Sequence, residues 1–113
     1  MGYDLHITKK VRWFNPGPDI SGKEWIACVE SDSELRLSKA TEVKLSDGSI
    51  VRHENPFMAE WTGHPLGGIV WFDYRDQRID VKNPDKETIG KMHRIAAKLG
   101  ASVQGEKGEV YDP

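Results

Sequence analysis

The sequence predicts an α+β fold, a two-layer sandwich of two helices on a mostly antiparallel sheet. Three observations carry this. Residues 3–8 and 79–82 alternate apolar with polar side chains, the period of half-buried strands, and Ile69 to Tyr74 is the most β-prone run of the chain. Residues 20–25 carry a complete helix start. Residues 84–100 place a proline before, and a glycine after, an apolar stripe of helical spacing. The resulting order is β, α, several β, α, β, and its ends match a ferredoxin-like split βαβ frame with an inserted hairpin and loop. The 113 residues suit one domain spanning 1–113, and no internal repeat or linker interrupts them.

In residues 3–11, Tyr3, Leu5 and Ile7 share one side of the first strand and Asp4, His6 and Thr8 the polar side. Trp13-Phe14-Asn15-Pro16-Gly17-Pro18 ends it as an aromatic loop. Ser21 is placed to cap a helix running to Val29 or Ser31, with Glu24 closing a capping box and Ile20 and Trp25 a hydrophobic staple. Residues 35–53 read as β structure around an Asp47-Gly48 hairpin turn, with Ile50-Val51-Arg52 returning. Residues 54–68 have no period and form a long loop, in which Phe57 to Trp61 fit a short strand or one helical turn.

Ile69 to Tyr74 and Ile79 to Lys82 form a hairpin at the centre of the sheet, and adjacency puts one of Trp71 and Phe72 inside and the other outside. Asn83 then caps the second helix, with Pro84 at its first position. Ile89, Met92, Ile95, Ala96 and Leu99 are its stripe, and Gly100 stops it. Residues 101–104 and 109–111 finish the chain as strands around a Gly105–Gly108 turn.

Composition narrows the function classes. A formal charge of −2 is too near neutral to imply a general nucleic-acid or anionic-membrane binder. The single cysteine, Cys28, excludes an internal disulfide and falls on the apolar side of the first helix, as a buried thiol does. No segment approaches the roughly 18 apolar residues of a membrane span, and the start lacks the basic and apolar run of a signal peptide. A cytoplasmic protein without membrane contact is the expectation.

No motif assigns a reaction. His6, His53, His64 and His93 show no zinc spacing, and there is no phosphate-binding glycine loop or nucleophile elbow. Neither a metal nor another cofactor is expected. His64 is the candidate acid–base group, in the 54–68 loop, with Glu60 or Asp73 to orient it. Asp73 and Asp80 fall on one hairpin, where two carboxylates across a strand pair suit a divalent cation, and Asp76 fits the turn between them. Lys9, Lys10 and Arg12, and on the second helix Lys91, Arg94 and Lys98, form two basic clusters. Without the aromatic sheet motif of RNA readers they read first as solvated faces, so nucleic acid ranks below protein as a partner.

The segments Tyr3-Asp4-Leu5-His6-Ile7-Thr8, Ile20-Ser21 with Glu24-Trp25, Val81-Lys82-Asn83-Pro84-Asp85 and Gln104 to Tyr111 resemble a group of small uncharacterised bacterial α+β proteins. The likeness covers most of the chain and implies a bacterial soluble domain, with no reaction, cofactor or catalytic residue attached. The expected function is a non-enzymatic protein-interaction domain of inhibitor or immunity type. Trp13 and Trp61 would anchor the partner, and Glu60, Asp73 and Asp76 would complement a basic surface. The alternatives are a small enzyme built on His64 and a weak nucleic-acid binder. An unpaired edge strand near the C-terminal hairpin is also compatible with a homodimer.

Overall fold

The computed structural model describes residues 3–37, 40–54 and 57–111. In chain order the elements are β1 (Asp4–Thr8), α1 (Gly22–Glu30), β2 (Leu35–Leu37), β3 (Ala40–Lys44), β4 (Ile50–Glu54), β5 (Ala59–Trp61), β6 (Val70–Arg75), β7 (Arg78–Lys82), α2 (Lys86–Leu99), β8 (Ser102–Gln104) and β9 (Val110–Tyr111). Seven strands form one open sheet in the order β2-β5-β6-β7-β1-β8-β9, and β3 and β4 form a separate ribbon. Every pairing among these strands is antiparallel. The fold is therefore α+β, two helices against a seven-stranded sheet, with the β6–β7 hairpin near its middle.

The core lies between the helices and one face of the sheet. Leu5, Ile7, Phe72, Ile79, Val81 and Val103 meet Trp25 and Val29 of α1 and Met92, Ile95 and Leu99 of α2. Helix α1 starts as its sequence dictates: Ser21 Oγ accepts from the Glu24 amide at 3.1 Å and Glu24 Oε1 from the Ser21 amide at 3.2 Å. Gly100 closes α2 in the left-handed region at φ 66°. Phe72 is inside and Trp71 is the exposed one of the pair. The Asp76-Gln77 turn joins β6 to β7 with φ of 50° and 59°, the type I′ sign that matches the twist of a two-residue hairpin.

Four expectations change. The cap of α2 is Asp85, not Asn83: its Oδ1 accepts from the Thr88 amide at 2.9 Å, two residues later than expected. Asn83 instead turns the chain at φ 47° and donates its amide to Tyr3 O, which ties β1 to the end of β7. The 35–53 segment divides, β2 joining the main sheet beside β5 while β3–β4 leaves it. That places His53 on a strand that does not neighbour β1, and its side chain lies outside the described residues. Lys91 is not part of a solvated basic face. It is 4% exposed and its Nζ lies 2.6 Å from Asp32 Oδ2 and 3.0 Å from Glu34 Oε1, pinning α2 to the turn after α1.

The fourth change matters most for function. The polar side of β1 is buried as well as the apolar side, His6 and Thr8 included. The strand ends at Thr8 because residues 9–19 fold back as a strap across the second face of the sheet.

Candidate functional site

One side chain fastens the strap backbone at three points. Gln104, fully buried on β8, accepts the Trp13 amide at 2.9 Å and donates to Lys10 O and Val11 O at 2.9 and 3.1 Å. Trp13 Nε1 adds a bond to Gly105 O at 3.0 Å. The indole then lies on His6, ring centroids 3.9 Å apart and planes 26° from parallel, with the Arg78 guanidinium 4.8 Å over the Trp13 ring. Trp13 is thus half-buried in its own protein.

Beneath it, His6 Nδ1 lies 2.6 Å from Asp80 Oδ1. A carboxylate has no proton to give, so Nδ1 carries the hydrogen. Nε2 is buried and has no hydrogen-bond partner. Burial alone would raise the Asp80 carboxyl, but the bonds from His6 and Arg78, with the Arg78 charge, outweigh it and hold it below the ordinary aspartate value. Arg78 supplies Nε at 2.9 Å and Nη2 at 3.3 Å. His6 and Asp80 face one another because they are register partners on β1 and β7.

Beside the strap the same sheet face is open. It holds a cavity of about 550 Å³, of the size that small ligands or single side chains occupy. Trp71, Ile69, Val70 and Met58 give it apolar walls, and Asp4, Asp73, Asp80 and Asp85 line it together with Arg75 and Lys82. Ile69 and Trp71 are 47% and 39% exposed at this site.

The expected site residues separate. His64 is not assembled with Glu60 or Asp73: its Nε2 lies 2.7 Å from Asp85 Oδ2 and its Nδ1 accepts the Leu66 amide at 3.0 Å, so both nitrogens are spent on positioning the loop against the start of α2. The Thr88 amide, the Thr88 side chain and then His64 lower the Asp85 carboxyl to about 2. Glu60 sits 2.5 Å from Arg36 across β5 and β2, Asp73 pairs with Arg75, and Asp76 reaches Arg78 at 3.6 Å. Asp73 and Asp80 are register partners, as two carboxylates across the hairpin should be. Among the described residues, no group of three or more histidine, cysteine or acidic side chains has metal-holding geometry.

Trp61 is 1% exposed within β5, its indole donating to Glu34 at 3.1 Å, so it has no face to offer a partner. Cys28 is buried, and burial pushes its thiol up, with Asp32 adding to this and Lys98 and Lys91 opposing it. Lys9 and Lys10 are engaged by Glu24 at 2.5 Å and Asp19 at 3.6 Å, and Lys98 reaches Asp32 at 3.7 Å. No helix among the described residues is long and apolar enough to cross a membrane.

Gln104 and Arg78 are the residues that sequence reasoning passed over. The signal was present: Gln104 stands at the polar phase of a strand whose neighbours are buried, and Arg78 two places before Asp80 on one strand face. No family model matches the chain, and no curated protein or solved structure matches it.

Proposed function

We propose that this chain is a non-enzymatic protein-interaction domain that meets its partner with the open part of the second sheet face. The observation that carries it is the exposure of Ile69 and Trp71 beside the 550 Å³ cavity, on a face that also carries Asp4, Asp73, Arg75, Asp80 and Lys82. Aromatic residues that rim a concavity among charges are the usual anchors of interfaces. The anchors are therefore Trp71 and Ile69 in place of Trp13 and Trp61, while Asp73 keeps the role expected of it. The order β6-β7-β1-β8, with α1 and α2 as the crossovers, supports a ferredoxin-like split βαβ frame beneath this face.

The test is capture of a partner from source-cell lysate with the intact chain beside an Ile69→Ala, Trp71→Ala double variant, followed by titration of the purified pair. A stoichiometric partner that the variant binds at least about 100-fold more weakly is the expected result, the loss typical of two anchor residues. Equal binding by both baits would remove the reading.

A second reading, an acid–base enzyme, has one observation in its favour: His6 Nε2, buried and without a hydrogen-bond partner in a histidine–aspartate dyad, the arrangement of a general base. It requires the strap to lift. Diethyl pyrocarbonate modification of His6 in the native protein, far faster than global unfolding, would support it; modification only on unfolding would dismiss it.

A further inference from the structure

We propose that the cavity on the open sheet face seats an arginine side chain presented by the protein partner, an inference that rests on the interaction reading above and names the chemistry of its anchor. The charges around the cavity favour a cation once those already neutralised are set aside. Asp73 is paired with Arg75, and Asp80 with Arg78 and His6. Asp85 is different. Its partners are the Thr88 amide and the His64 ring, whose other nitrogen lies 3.0 Å from the Leu66 amide. Asp85 is therefore an anion at neutral pH, its carboxyl lowered to about 2, and among the described residues no lysine or arginine pairs with it. Asp4 has no ion-pair partner among the described residues, although it stands opposite Lys82 in register. Two uncompensated carboxylates thus share the cavity with one unpaired cation, Lys82, whose residue is exposed at the rim.

The walls select among cations. Trp71, Ile69 and Met58 form an apolar lining, which suits a side chain with an aliphatic stem and a flat head. A guanidinium stacks on an indole and binds carboxylates with a fixed fork of donors, whereas an ammonium is a compact, strongly hydrated charge. The same sheet face already contains this arrangement once: Arg78 lies over the Trp13 ring while its Nε and Nη2 reach Asp80. The cavity repeats the ingredients, an indole and carboxylates, with the partner supplying the guanidinium.

The experiment is a titration of the ¹⁵N-labelled full chain with three probes: N-acetyl-arginine methylamide, its lysine counterpart and its citrulline counterpart. Saturable shifts are expected at the Trp71 indole N–H and at the amides of Asp4 and Ile69. Arginine should bind at least about tenfold more tightly than citrulline, the scale of one desolvated guanidinium interaction, and more tightly than lysine. Asp4→Asn should weaken arginine several-fold, and Trp71→Ala should abolish the saturable shifts. Citrulline or lysine binding as well as arginine, no saturable binding, or shifts located elsewhere would overturn the proposal. The two readings fail separately. A partner that loses affinity for the Ile69→Ala, Trp71→Ala variant, yet tolerates replacement of each interfacial arginine, refutes the arginine anchor and keeps the interface.

Discussion

Replacing Gln104 by leucine should release the strap and cost the protein about 3 kcal/mol. The amide makes three bonds to strap backbone, with the Trp13 N–H and the Lys10 and Val11 carbonyls. A hydrogen bond of this kind contributes about 1 kcal/mol net, and more if its partner stays buried and unpaired. Here the strap can lift and hydrate its freed groups, so the lower figure governs. Unfolding entropy of about 2.1 cal/mol/K per residue gives roughly 0.24 kcal/mol/K for a chain of 113 residues, so 3 kcal/mol corresponds to a fall in Tm of about 12 °C. Thermal melting by circular dichroism reads the stability, and hydrogen exchange of the Trp13 indole N–H reads the strap. A fall of less than about 3 °C with the indole still protected would refute the account of Gln104 as the fastener. Gln104→Glu gives the signed companion. It keeps an acceptor but places a carboxylate near two carbonyls, which with burial raises its folded pKa. Its stability should be greatest at acid pH and fall as pH rises through that raised value.

Other consequences can be checked by ordinary means. Because the Asp80 carboxyl is held below its ordinary value, the stability it contributes is present above about pH 4 and is lost as pH falls through the depressed folded value; Asp80→Asn should flatten that acid limb in urea titrations run between about pH 4 and pH 2. Lys91→Ala leaves the largely buried Asp32 carboxylate with only the more distant Lys98 and the Glu34 amide and should cost about 1–3 kcal/mol, whereas Lys91→Met with Asp32→Asn, which removes both charges, should lose less than Lys91→Ala alone by chemical denaturation. Gly100→Ala, at φ 66°, should lower stability by about 1 kcal/mol in the same assay.

The sequence makes the local devices plain because each is complete within a few residues. Ser21 and Glu24 satisfy one another's amides, Gly100 needs no neighbour to adopt its conformation, and Trp71-Phe72 must split between two faces. What it hides is which distant polar groups come together. Alternation marks His6 as a polar-face residue, but only the strap decides whether that face is wet. The helical face of Lys91 appears solvated until Asp32 and Glu34, nearly sixty residues away, are brought against it. His64 has acidic neighbours in sequence, yet its partner is the cap of a helix 21 residues on. Trp13 and Trp61 carry the same label in the sequence, and one becomes core while the other closes a lid.

The position of β1 in the sheet also bears on how the chain reaches this fold. This strand precedes the other described strands, yet its partners are β7 and β8, and the bond from His6 to Asp80 closes a loop of 74 residues. Closing so long a loop is entropically costly and is recovered only when strands on both sides dock. Synthesis therefore leaves Leu5 and Ile7 without a strand partner until residues 78–82 follow, and the Trp13 strap without its fastener until Gln104 follows. A folding reaction limited by this long-range closure is the kinetic counterpart of a sheet whose first described strand lies between later ones.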